Sequence, residues 1–411
     1  MNLLIVNTHW NNRGDEAAFR AMIDTILEEH PDAKLWVLMN RIKQFPYHDH
    51  PKVAVIPKFF PTRKNLLEMP LILLSHGRLA LFDNSRAFCG ALRKADLVIH
   101  APGGPSIGDI YAAEEWRYLT RLFLAIWCNK PIFFYAPSMG PFQNRVRNLM
   151  RRFILNKAAC ICVREGLSQR QLDSLNLKQE VHVTLDAAIQ NTIDSQKELL
   201  KLKEYGALND FLSSPQRIVG VTITNLQWNP RYQGNLALSE NIRFVFTKFL
   251  EYLTNKGYKI LFIPQLFGDQ NDSDYMNSFI NLNNNHDLFV LSDQYDVYFQ
   301  QFIISKVYAL IGMRYHSNIF AAKMSIPFIS ISYEQKMKGF MEKVKLSDYC
   351  LDINDLTAQN LSDLFEQMER EYDNYRNQLL MISSDIKRES SRTNEYLNGI
   401  IKKLAFERFG S

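Results

Sequence analysis

Cysteine is scarce and scattered, with five in 411 residues, at Cys89, Cys128, Cys160, Cys162 and Cys350. An odd, unevenly spaced set excludes a disulfide framework. Cys160 and Cys162, in "ACICV", fall on one face of an expected strand, but no second Cys or His pair has matching metal-ligand spacing, so they read as buried thiols. Long apolar runs are missing too. The most hydrophobic stretch, "LLEMPLILLSHGRLALF", is interrupted by Glu68, Pro70, His76 and Arg78, which excludes a spanning helix. A plain core helix is the commoner use of such a stretch; the other is an apolar flap on a membrane interface or a lipid-linked substrate. The opening "MNLLIVNTHW" has neither a basic leader nor a cleavage site. Charge of one sign is also lacking, since 48 Lys and Arg face 43 Asp and Glu for a net +5. That balance suits an anionic ligand or a weak pull toward an anionic membrane surface. No nucleic-acid motif, dinucleotide glycine fingerprint or Walker lysine appears. The expectation is a cytoplasmic protein, with peripheral contact at the inner membrane face as an option, and with no nucleic-acid partner, no metal and no resident cofactor.

What is present is a rhythm. Short, near-continuous apolar runs such as "NLLIVN", "DLVIHAPGG" and "CICVRE" alternate with amphipathic stretches such as "DEAAFRAMIDTILEEH". This is the pattern of parallel strands covered on both faces by helices. The rhythm lapses near residue 195 and resumes with "RIVGVTIT". The chain is therefore expected to hold an α/β domain over 1–195, a helical linker over 196–215 and a second α/β domain over 216–357. A charged helical tail over 358–411 is expected to pack back on the domains. Two doubly wound Rossmann-like domains facing a central cleft make a GT-B-like architecture, with an acceptor side in the first domain and a donor side in the second.

The candidate functional residues cluster at strand ends. After the first strand, "NTHWNNRGDEAAF" offers Gly14 for a tight turn and Asp15 as a helix cap or as a cleft carboxylate. "APGGPSIGD" offers Gly103 and Gly104 for close backbone approach, and "YAPSMGPF" offers Ser138; ordinary turns use the same residues. Arg164, in "VREGLSQRQL", can grip a carboxylate or phosphate, or simply pair with a neighbouring acid. Asp186, in "VTLDAA", is a carboxylate or an N-cap. Richest is "GMRYHSNIFAAKMSIPFISISYEQK". There Arg314 supplies a fixed fork of donors, and His316 can move a proton near neutral pH. Ser317 and Asn318 bring the amides of a new helix, and Glu334 and Lys336 follow the next strand.

Taken in order, these motifs resemble the polysaccharide pyruvyltransferase family. The residues that carry the likeness are Asn12, Gly14, Asp15, Glu16 and Ala17; "APGGPSIGD"; Ser138, Gly140 and Pro141; Arg164 to Ser168; and Arg314, His316, Ile319, Ala321, Pro327, Ile331, Tyr333 and Lys336. Two positions depart from the family pattern, Ser325 and Pro105, each standing where glycine is usual. The resemblance implies a GT-B-like fold and transfer of a pyruvyl group from phosphoenolpyruvate, as co-substrate, to a hexose of a surface polysaccharide or its lipid-linked precursor. A 4,6-ketal on galactose or a related hexose forms, and phosphate is released. It further implies that Arg314, His316 and Arg164 bind or activate the donor. Arg314 would then hold the departing phosphate, with Lys336 as a further cation, and His316 would carry the proton. Asp15, Asp186 and Glu334 remain open as the base. A GT-B glycosyltransferase using a nucleotide sugar is the alternative, and a catalytically inactive sugar- or anion-binding regulator is a third reading.

Overall fold

The computed structural model describes residues 1–10, 12–39, 45–59, 63–110, 112–267, 271–283 and 287–409. Its contacts divide the chain into two units. Met1–Trp10, Ala18–Asn191 and Arg388–Ser411 form the first, and Asn11–Ala17 with Thr192–Lys387 the second.

In the first unit, strands and helices alternate. They run β1 (Asn2–Val6), α1 (Arg13–Glu29, whose first turn counts with the second unit), β2 (Lys34–Leu38), β3 (Val53–Ile56), α2 (Arg63–Leu74), α3 (Asp83–Lys94), β4 (Leu97–His100), β5 (Gly103–Ile107) and α4 (Ala112–Trp127). Then follow β6 (Ile132–Phe134), β7 (Pro137–Met139), α5 (Arg145–Leu155), β8 (Cys160–Val163), α6 (Gly166–Asp173) and β9 (Val181–Val183). Seven strands pair in parallel in the order β3-β2-β1-β4-β6-β8-β9, and β5 pairs with β7 apart from them. The central strands β4, β6 and β8 are buried along their whole length. That is why their sequences are unbroken apolar runs rather than alternating ones. The Cys160 and Cys162 sulfurs lie 3.9 Å apart as free thiols on β8.

The second unit opens on α7 (Ser195–Glu204) and α8 (Gly206–Leu212). It continues with β10 (Ile218–Thr222), α9 (Leu236–Asn255), β11 (Lys259–Phe262), α10 (Asp272–Asn283), β12 (Leu288–Val290), α11 (Val297–Ile304), β13 (Ala309–Gly312), α12 (Tyr315–Lys323), β14 (Phe328–Ser332), α13 (Gln335–Lys343) and β15 (Cys350–Asp352). The helices α14 (Ala358–Arg370) and α15 (Tyr372–Phe409) end the chain. The six strands, all parallel, run β12-β11-β10-β13-β14-β15. The strand order reverses between β1 and β4 in the first unit and between β10 and β13 in the second. The carboxyl ends of those strands are where this kind of sheet offers a crevice.

One expectation needs correction. The segment 196–215 is not a linker. Leu202, Leu208 and Phe211 of α7 and α8 are buried, Tyr205 rests on Tyr295 and Phe299, and Lys201 pairs with Asp296 at 3.1 Å, all within the second unit. The polar face of these two short helices conceals the apolar stripe on the other. The tail, expected to pack back on the domains, is shared between the units. Residues up to Lys387 count with the second unit, where Tyr375 stacks on Tyr349. From Arg388 they count with the first, where Thr393 bonds Thr184 at 2.8 Å and Ser390 donates to the Asp186 carbonyl at 2.8 Å.

Candidate active site

In the second unit, β13 ends at Gly312 and α12 begins after Arg314, which occupies the N-cap position. A Cβ on Gly312 would lie 1.6 Å from the Asn318 Oδ1, so only glycine lets α12 turn back so closely. Ser317 and Asn318 are fully buried and hold the junction together. The Ser317 hydroxyl donates to the Arg314 carbonyl at 2.7 Å and meets Thr222 at 2.8 Å, while Asn318 donates to Ser330 at 2.8 Å.

Arg314 is buried at 7% exposure. Its Nε donates to Asp272 at 3.2 Å, its Nη2 to Asp272 and also to Thr224 at 3.3 Å, and its guanidinium lies 4.6 Å over the Trp228 ring. Burial works against its charge, but Asp272 and the nearby Tyr333 outweigh it and raise the guanidinium pKa. Asp272 in turn accepts from the amides of Gln265 at 3.1 Å and Leu266 at 2.9 Å. This geometry fixes the fork's rotation through Nε and Nη2, and Tyr333 hydrogen-bonds the guanidinium as well.

The first turn of α1 belongs to the same unit. Asn12 caps it. Its Oδ1 accepts from the Asp15 amide at 2.7 Å, and its Nδ2 donates back to the Asp15 carboxylate at 2.6 Å. Asp15 is therefore the return partner of the cap rather than the cap itself. Asn12 forms an antiparallel bridge with Leu266, and the Arg13 amide donates to the Gln265 carbonyl at 2.9 Å. Gly14 is then pressed against His316: a Cβ there would lie 1.7 Å from the ring's Nδ1. The contacts close a ring, from Arg314 through Asp272, the 265–266 loop and the α1 turn to Gly14, His316 and back to Arg314. His316 is only partly buried and has ring contacts with Tyr315 and Phe320. Nearby, Glu334 pairs with Lys336 at 2.6 Å and accepts from Asn229 at 2.9 Å, and Tyr232 donates to the Tyr333 carbonyl at 2.7 Å.

The first-unit candidates are arranged differently. Arg164 is 2% exposed and bonded through two of its nitrogens. Its Nη1 pairs with Asp186 at 2.6 Å, and its Nε donates to Ser138 at 2.7 Å and to Glu165 at 3.2 Å. Ser138 donates to Glu165 at 3.0 Å, and Ser168 accepts from the Met139 amide at 2.8 Å. Asp186 is buried and also caps the short 3-10 turn that follows it, accepting from Ala188 at 2.9 Å. Arg164, Ser138 and Asp186, expected to meet a ligand, are joined to one another through these bonds. Gly103 and Gly104 begin β5, and a Cβ on Gly104 would meet no atom within 4 Å. The side chain of Pro105 lies outside the described residues. His100, at the end of β4, is sealed. Its Nδ1 bonds the Ala101 carbonyl at 2.9 Å, its Nε2 meets the Ser106 hydroxyl at 2.8 Å, and burial pushes its pKa down to about 4.

Sequence reasoning missed Asp272, Thr222, Thr224, Trp228 and Asn229. A usable signal was present for some of them: "TITNLQWNPRY" follows β10 directly and mixes hydroxyl, amide and aromatic side chains at a strand end. Among the described residues, no group of three or more His, Cys, Asp or Glu could hold a metal ion, and no helix is long and apolar enough to cross a membrane.

The polysaccharide pyruvyl transferase family model matches residues 12–335, a span that begins at the Asn12 cap and ends just past Glu334. The chain belongs to that family. A curated relative, the amylovoran biosynthesis protein AmsJ of Erwinia amylovora, is 23% identical over 414 residues, covering 90% of this chain and 94% of AmsJ. Solved structures share the fold of the transferase at lower identity. The UDP-GlcNAc 2-epimerase of Neisseria meningitidis, solved with UDP-GlcNAc, gives a TM-score of 0.61 at 13% identity over 97% of this chain and 100% of its own. Alr3699/HepE of Anabaena, solved with UDP and glucose, gives 0.58 at 13% identity over 98% and 99%. These likenesses establish a GT-B-like pair of Rossmann-like units for the transferase, and nothing of its substrates.

Proposed function

We propose that the protein transfers the pyruvyl group of phosphoenolpyruvate to two hydroxyls of one hexose, forming a cyclic ketal and releasing phosphate. The acceptor would be a hexose of a surface polysaccharide or of its lipid-linked precursor, with galactose or a related sugar ketalised at positions 4 and 6. Family membership carries this reading, together with one observation: Gly14 has to be glycine because His316 lies against it, so the two strongest motifs meet at one place in the second unit.

The chemistry assigns work to each side chain. The donor's methylene carbon takes a proton, leaving an oxocarbenium-like centre. One sugar hydroxyl attacks that centre and loses its proton. The bond from this carbon to the phosphate oxygen then breaks, and the second hydroxyl closes the ring. Of the two hydroxyl protons, one balances the proton on the new methyl group and the other leaves with phosphate. Arg314, held by Asp272, offers Nη1 to the phosphate as charge builds on it. Lys336 supplies a second cation. His316 carries the proton. Asp15 and Glu334 remain as bases, whereas Asp186, sealed against Arg164, is set aside. Arg164 becomes a positioning residue that orders the turns around Ser138 and Asp186.

The test is incubation with phosphoenolpyruvate and a panel of hexosides, reading a mass gain of pyruvate minus water with matching phosphate release. No gain with any hexoside, alongside a nucleotide-sugar-dependent transfer, would overturn the reading. His316→Ala should fold normally, keep donor affinity and lose about 10²–10⁴-fold in turnover. Undiminished turnover would remove His316 from the chemistry.

A further inference from the structure

Helix α5 is inverted relative to an ordinary surface helix. Its sequence, RVRNLMRRFIL, buries Arg151, Ile154 and Leu155 and turns Val146, Leu149, Met150 and Phe153 outward, at 77%, 69%, 43% and 43% exposure. The spacing i, i+3, i+4, i+7 makes these four one stripe, the width of face that a helix normally buries. Arg145 and Arg152, both exposed, fall along one flank of the stripe on the helical wheel, and the helix has no acidic residue. Helix α2 repeats the pattern in the same unit. Leu67 and Leu74 are 82% and 86% exposed, with Pro70 exposed and Leu71 half-buried between them at the same spacing. Ring contacts connect the two helices. The Trp127 indole donates to the Leu73 carbonyl at 2.7 Å, Phe123 stacks on Trp127 at 6.0 Å, and Phe123 meets Phe153 at 6.1 Å. The turn after α2 adds Leu79 and Leu81, 56% and 60% exposed, beside the exposed Arg78. The acids close by in sequence are held locally, Asp83 by Arg86 and Glu114 by Arg117.

We infer that this ridge of α2, Trp127 and α5 docks the protein on an anionic phospholipid surface, lying in the interface without crossing it. An apolar stripe with arginines at its edge is what such a surface selects, because the alkyl and aromatic groups enter the headgroup boundary while the guanidinium groups meet lipid phosphates. A second copy of the chain is a poorer occupant: a two-fold contact through α5 would set its arginine flanks against each other with no acid on that helix to answer them. The inference does not depend on the donor assignment, though it would bring the acceptor side of the fold to a lipid-linked sugar.

The experiment is co-sedimentation of the full chain with vesicles of phosphatidylcholine alone and of phosphatidylcholine with one-third phosphatidylglycerol, with sedimentation velocity run on the same protein. The expected result is binding to the anionic vesicles, weakened by raised salt, and a loss of about tenfold or more in Leu149→Asp/Phe153→Asp. Both replaced residues are exposed, so this variant should keep the wild-type melting temperature and its turnover on a soluble hexoside. The more conservative Arg145→Gln/Arg152→Gln should lose the preference for anionic over neutral vesicles while remaining folded. Wild-type protein left in the supernatant, variants that bind as well as wild type, or a dimer that the first variant dissolves without any vesicle binding would each overturn the inference.

Discussion

Each unit places a histidine and an arginine at or just after the end of a central strand, yet the two surround these groups differently. In the first, Arg164 is enclosed by Asp186, Ser138 and Glu165, and His100 is sealed between Ala101 and Ser106. In the second, Asp272 takes two nitrogens of Arg314, and His316 lies partly exposed against the backbone of Gly14. The residue types are alike; what differs is the setting. Arg164 lies in a cluster of acids and hydroxyls that bond one another, whereas Arg314, bonded by Asp272, Thr224 and Tyr333, stands next to a partly exposed histidine. We propose that the first arginine is structural, because a ligand would have to break existing pairs to reach it, and that the second faces the substrate.

The sharpest way to break this contrast is Arg164→Ala. It leaves Asp186 as an unpaired buried carboxylate, so unfolding free energy should fall by about 3–5 kcal/mol, with donor affinity unchanged in the protein that still folds. A stable variant with weakened phosphoenolpyruvate binding would place Arg164 among the donor ligands after all.

Next in size is the acid response of His100. Its folded-state pKa, about 4, lies below the ordinary 6.5 because burial disfavours the imidazolium. The unfolded chain therefore takes up this proton first as pH falls. Stability attributable to His100 is fully present above about pH 6.5 and is lost between 6.5 and 4, to the extent of about 3 kcal/mol. Urea unfolding across that window should show a steeper decline for the wild type than for His100→Gln; parallel curves would mean that His100 is not sealed.

Arg314→Lys should keep the charge and lose the fork. Two charge-assisted bonds at ~1.5–3 kcal/mol each imply at least about two orders of magnitude in donor affinity, readable by calorimetry with phosphoenolpyruvate. Wild-type affinity in this variant would erase the distinction between the two arginines.

The smallest effect concerns Ser325, which sits at φ +55°, in the left-handed region. The glycine usual in the family at this position fits that conformation without a Cβ clash. Ser325→Gly should therefore raise stability by up to about 1 kcal/mol, and a loss of stability would show that the Ser325 side chain repays the strain.

Much of this was legible beforehand, and the limits are physical. Parallel strands buried on both faces write themselves as unbroken apolar runs, so both sheets could be read from runs such as Leu97–His100 and Phe328–Ser332. Residues that must sit at a strand–helix junction reveal themselves by position, which is how Asp15, Arg314 and His316 came forward. Pairing across the fold leaves no local trace. Nothing near Arg314 points to Asp272, and nothing near Arg164 says that Asp186 will close on it. The side chains of Ser317 and Asn318 hold the junction together, a task that uses the same short polar residues as a junction that binds, so their type alone does not separate the two uses. The segment 196–215 misled for a related reason: two short helices with one buried face each look polar when averaged along the chain.

The C-terminal helix carries a consequence for how the molecule is made. Residues 388–409 supply Ser390, Thr393 and Asn394 to partners around Thr184, Asp186 and Gln190, and they are synthesised only after the whole of 192–387. The first unit must wait, unfinished, until the second has been made. Expressing 1–191 alone should give an aggregation-prone fragment, and co-expressing a separate 388–411 peptide is the natural rescue.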